Sequence, residues 1–105
     1  MITTQVMDAT HGKPAAHIPV ELDLFITGQG WYEVGRGLTN YEGRVNDFGE
    51  QRAPGVYRLM FDIASYQPDA FFPTISITIE IENVNDQYHF PVVLSPFGYA
   101  VHRGS

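Results

Sequence analysis

Wherever this sequence runs free of turn residues, its apolar side chains recur at every second position, a period that suits strands and not helices. In "VYRLMFDI" (Val56–Ile63), Tyr57, Leu59, Phe61 and Ile63 share one face, and Val56, Arg58, Met60 and Asp62 share the other. "TISITIEIEN" (Thr74–Asn83) alternates in the same way and is rich in the β-branched residues that fit a pleated surface. "IPVELDLFI" sets Val20, Leu22 and Leu24 against Glu21 and Asp23. "TTQVMD", "WYEVGRGLT", "YHFPVVLS" and the terminal "YAVHRGS" complete the β-prone runs, which are separated by "TGQG", "NYEG", "APG", "NDQ" and "PFG". No stretch of about 10 residues keeps a 3.6-residue period. Helix is therefore expected for a turn or two at most, near Arg52 or Tyr66. About seven or eight short strands with regular turns predict an all-β fold, an antiparallel sandwich of two sheets.

The 105 residues suffice for one domain, 1–105. At that length folding buries roughly 60–70% of the unfolded surface, so association between copies would help the core. With no cysteine, thiol chemistry and disulfides are excluded, and any metal would have to sit on His and carboxylates. The four histidines show no H-x-H or H-x₃-H spacing, and no metal or other cofactor is expected. Net charge is −6, and the six basic residues are scattered, which argues against nucleic acid as a partner. No apolar run approaches the roughly 18–20 residues of a membrane span, and no leader pattern opens the chain. The expectation is a cytoplasmic protein with no membrane partner.

Five blocks then narrow the reading: "TTQVMDATHGKPAAHIPVEL", "GLTNYEGRV", "GVYRLMFD", "FFPTISITIEI" and "YHFPVVLSPFGYAVHRGS". Together they make the chain resemble the transthyretin-like family, in particular its 5-hydroxyisourate hydrolases. The resemblance implies a two-sheet transthyretin-like sandwich and a homotetramer built as a dimer of dimers. It also implies a cleft between dimers for a small heterocyclic substrate, opened by water without a cofactor. The product would be 2-oxo-4-hydroxy-4-carboxy-5-ureidoimidazoline, in urate degradation. The family's site residues fall on Arg44, His89, Arg103, Gly104 and Ser105. Two positions depart: the first-strand histidine is Gln5, and the tyrosine of the terminal Tyr-Arg-Gly-Ser is His102.

Each residue also has a chemistry of its own. An imidazole exchanges protons near neutral pH, so His89, pointing away from Tyr88 and Phe90, is the expected base or proton shuttle. The guanidinium of Arg44 follows the left-handed turn expected at Gly43, and its fork of donors suits a planar anion. Gln5 can orient water but cannot take a proton. His102 either restores that capacity or, with Gln5, marks a retuned site. Arg103 either contacts ligand, pairs with the terminal carboxylate of another subunit, or holds a neighbouring strand. Ser105 supplies a hydroxyl with no activated-nucleophile pattern around it. Besides the leading function, the sequence leaves open a hydrolase of another cyclic amide, imide or lactam, and a non-catalytic carrier of small ligands.

Overall fold

The computed structural model describes residues 1–49 and 53–104. The alternating segments form two sheets. The first has the order β2-β1-β8-β9, from Lys13–Pro14, Ile2–Asp8, Tyr88–Ser95 and Gly98–Val101; β5 (Arg44–Val45) also pairs with β1. The second has the order β4-β3-β6-β7, from Gly30–Leu38, Pro19–Ile26, Gly55–Asp62 and Thr74–Ile81. That is nine strands among the described residues, two of them only two residues long, in the transthyretin-like sandwich that the sequence predicts. The pairs are antiparallel except one: β1 runs parallel to β8. Parallel neighbours need a long crossover, and here nearly the whole chain lies between the two strands.

The inward faces follow the period-2 reading. Ile2 and Val6 of β1 and Phe90 and Val92 of β8 meet Leu22, Tyr57, Leu59, Phe61, Ile75 and Ile81 of the opposite sheet, all buried. The polar groups drawn into this layer are satisfied. The Thr4 hydroxyl donates to the Phe90 carbonyl at 2.6 Å and the Tyr57 hydroxyl to that of Ala53 at 2.6 Å. At the end of β1, burial pushes the Asp8 carboxyl up, but hydrogen bonds from Tyr66 (2.7 Å) and His11 outweigh it and hold its pKa below the ordinary value.

The possible helix near Tyr66 is a single turn, within the turn or two expected: the amides of Tyr66 and Gln67 both bond to the Ile63 carbonyl, and Pro68 cannot continue the ladder. The alternative near Arg52 lies outside the described residues. Asp23 is 2% exposed. It does lie on the outer face of β3, but Arg58 covers it with a 2.9 Å ion pair, and the Arg58 guanidinium rests 4.2 Å from the centroid of the Trp31 ring.

The second Asp23 oxygen, Oδ1, is buried without a hydrogen-bond partner among the described residues. The neighbouring Glu21 carboxyl, when protonated, can share its proton with Asp23. The hydrogen bond to Asp23, followed by burial and the nearby negative charges, raises the Glu21 pKa from 4.5 to about 7. A carboxyl with a raised folded pKa binds its proton more tightly in the folded state. Its contribution is complete below the unfolded value and is lost as pH rises through about 7. Glu21 is more than a third exposed, so solvent screening keeps the effect small. The stability difference between the native chain and Glu21→Gln, measured by urea denaturation, should therefore shift in the variant's favour between pH 5.5 and 8. Taking the difference cancels His89, whose lowered pKa gives the opposite slope. A difference independent of pH would exclude the shared proton.

Candidate active-site face

The outer face of the first sheet is where the chemistry-bearing residues gather. Cross-strand partners share a face, so the register alone composes it. One row runs Arg44, Gln5, Pro91, His102: Arg44 pairs with Gln5, Gln5 with Pro91, and the His102 amide reaches the Pro91 carbonyl at 3.4 Å. The next row runs Thr3, His89, Gly104. Four strands at the usual spacing put Arg44 and His102 roughly 14 Å apart at the backbone, with His89 between and beside them.

Arg44 is placed by its turn. Gly43 has φ +74°, and a Cβ there would stand 2.3 Å from the Val6 carbonyl oxygen, so only glycine lets the turn close against β1. The Gly43 carbonyl receives the Val6 amide at 2.7 Å, and the Asn40 side chain receives the amides of Glu42 and Arg44. Arg44 leaves this clamp with its Nε buried and without a hydrogen-bond partner among the described residues. Such a donor is costly to bury unpaired, and an acceptor arriving from the cleft would satisfy it.

His89 projects between Thr3 and Gly104. Its Nδ1 lies 2.7 Å from the Thr3 hydroxyl oxygen. Burial and then the Arg44 charge lower its pKa, which favours the neutral ring. On the other side, a Cβ on Gly104 would meet His89 Cδ2 at 3.2 Å, and the Gly104 amide donates to the His89 carbonyl at 2.6 Å. Gly104 thus closes the end of the chain onto β8 without crowding the imidazole. Gln5 donates from Nε2 to the Glu42 carbonyl at 3.1 Å, which leaves its side-chain oxygen as an acceptor.

Of the residues expected from sequence, Gln5, Arg44, His89, His102 and Gly104 share this face. Arg103 does not. Its guanidinium lies 4.5 Å from the centroid of the Tyr88 ring, and Tyr88 faces the core. It braces the terminus from the opposite side, by a cation–π contact. Ser105 lies outside the described residues. Sequence reasoning missed Thr3 and Gln87, whose side chains touch each other at 3.4 Å beside His89. The only signal for Thr3 was its position two residues before Gln5, on the same face. Among the described residues no three His, Cys, Asp or Glu side chains are grouped as a metal site would need, and no helix is long and apolar enough to cross a membrane.

A sequence model of the HIUase/Transthyretin family matches residues 2–104. A 5-hydroxyisourate hydrolase of Pseudomonas aeruginosa is 35% identical over 115 residues, covering 99% of this chain and 90% of that protein. The uric acid degradation bifunctional protein TTL of Arabidopsis thaliana is 36% identical over 119 residues, and the chain spans 37% of its length. Among solved structures, the 5-hydroxyisourate hydrolase of Klebsiella pneumoniae superposes with a TM-score of 0.85 at 25% identity, covering 99% of this chain and 97% of that one.

Proposed function

This chain belongs to the HIUase/transthyretin family, and from that premise we propose that it is a hydrolase that opens the cyclic amide of 5-hydroxyisourate. The product is 2-oxo-4-hydroxy-4-carboxy-5-ureidoimidazoline, a step of urate degradation. The observation that carries the reading is the pairing on one open face of a neutral imidazole, His89, with an arginine whose buried Nε has no partner among the described residues. A carbonyl or enolate oxygen of the heterocycle supplies the acceptor that Arg44 lacks. The two imidazoles of the cleft, His89 and His102, serve water addition and ring opening. Gln5 presents an acceptor oxygen that orients water, and Gly104 keeps the His89 pocket open. Ser105 is proposed to donate a hydroxyl to the same cleft, and Arg103 to hold the terminus that carries it. No cofactor takes part.

The working form is a cytoplasmic homotetramer, a dimer of dimers. β7 and β9 end their sheets with one side of each strand unpaired among the described residues, so pairing with a second copy through these edges would protect both. Single-domain organisation over 1–105 belongs to the same proposal.

The test is direct. 5-Hydroxyisourate generated in situ by urate oxidase should lose its near-ultraviolet absorbance faster with this protein than spontaneously. Light scattering should report a tetramer. A folded tetramer that leaves the spontaneous rate unchanged would sink the assignment, and a monomer at micromolar concentration would sink the shared cleft. One observation favours a second reading, a hydrolase of a related heterocyclic amide, imide or lactam. The Gln5 amide, tied to the Glu42 carbonyl, stands where the family's enzymes carry an imidazole.

A further inference from the structure

In its neutral form the His89 ring carries one N–H, and which nitrogen holds it decides what the residue can do. The neighbours of Nδ1 favour one arrangement. The Thr3 oxygen stands 2.7 Å from it and also lies 3.4 Å from Gln87 Nε2, an amide that can only donate. Thr3 has a single hydroxyl hydrogen, and His89 Nδ1 is the only acceptor it meets among the described residues. A run of hydrogen bonds from Gln87 to Thr3 to Nδ1 satisfies all three groups and leaves the proton on Nε2, which has no partner among the described residues. We propose that Thr3 is a positioning residue, holding His89 in the Nε2–H form so that it meets substrate as a hydrogen-bond donor and leaves the role of base to His102.

This rests on the hydrolase reading above, and it reverses the direction of proton flow that the sequence suggested for His89. The register supports the division of labour. Gly104 lies opposite His89 and His102 lies opposite Pro91, so the two imidazoles occupy diagonal positions. Such positions stand roughly 7–8 Å apart, enough for a heterocycle and one water. Water adds its oxygen to the ring carbonyl carbon, and one of its protons passes to the unprotonated nitrogen of His102. The carbonyl oxygen takes up the negative charge facing His89 Nε2–H, which donates to it. When the tetrahedral centre collapses the carbon–nitrogen bond breaks, and the leaving nitrogen takes the proton back from His102. Gln5, which cannot cycle a proton, has no such duty in this scheme.

Long-range proton–nitrogen NMR of the histidine-labelled full chain reads the tautomer directly, with the His89 signals assigned by their loss in His89→Ala. The native protein should show His89 protonated on Nε2, with Nδ1 shifted as a hydrogen-bond acceptor. Thr3→Val removes the hydroxyl and keeps the shape. It should move the Nδ1 resonance downfield and lower kcat for 5-hydroxyisourate about tenfold with KM little changed, the effect of one lost hydrogen bond. Thr3→Ser should restore both. A native His89 protonated on Nδ1, or an Nδ1 resonance indifferent to Thr3→Val, would overturn the proposal. The expected spectra with no native turnover would instead uphold the tautomer and remove the hydrolase reading.

Discussion

Replacing His89 with alanine should cut kcat for 5-hydroxyisourate by about 10²–10⁴-fold, the span seen when a donor or proton-transfer group is removed from a water-excluding site. KM should move far less, because Arg44 and the rest of the face would still hold the heterocycle. The fold should survive. His89 lies outside the core layer, and the strand's ladder to β1 is made by backbone groups that alanine retains. The check is steady-state turnover beside light scattering and a thermal melt of the same preparation. A variant that keeps its oligomeric state and loses less than about threefold would show that the imidazole is a bystander, and the chemistry would have to be sought in the Arg44–His102 row. His89→Asn, which returns one amide donor, should recover part of the loss.

The largest effect on stability should come from the other sheet. Asp23 is 2% exposed, and its charge is balanced by Arg58 at 2.9 Å. Removing one partner of a buried pair strands the other, at a cost of about 3–5 kcal/mol. Arg58 is itself about a quarter exposed, so Arg58→Met should fall near the lower end, about 3 kcal/mol in urea denaturation. The double change Asp23→Val with Arg58→Met removes both charges and should return most of that loss. A single-variant cost below about 1 kcal/mol would mean that the pair behaves as an exposed one. Activity at the opposite sheet should be unchanged in all three proteins.

Both sites show where sequence reading runs out. The faces of β6, β7 and β8 were legible because alternation is a local property. Tyr57, Leu59 and Phe61 point inward as expected, and His89 points away from Tyr88 and Phe90. The burial of Asp23 was not legible, because it depends on Arg58 and Trp31 arriving from two other strands. Arg103 was legible in principle: carrying the period past Val101 puts His102 on the outer face and Arg103 on the inner one. Gln5, Arg44 and His89 could be suspected from sequence, but their common face could not. It depends on β1 lying between β5 and β8, a pairing that no local pattern encodes. Thr3 carried no signal beyond sharing a face with Gln5, since a strand threonine becomes a positioning group only when its partner is identified.

Thr3 and His89 are separated by 86 positions in the chain, and they meet across the one parallel strand pair. That span has consequences in time. Contacts between remote segments carry the loop-closure cost of everything between them, so folds that depend on such contacts assemble slowly. The second sheet, built from neighbouring strands between Pro19 and Ile81, can form while the chain is still being made. The face that bears Thr3, Gln5 and Arg44 must wait for β8. A nascent chain released short of Tyr88 could hold a folded four-stranded sheet and possess no part of the His89 pocket. The chemistry is thus acquired only once β8 has joined the chain.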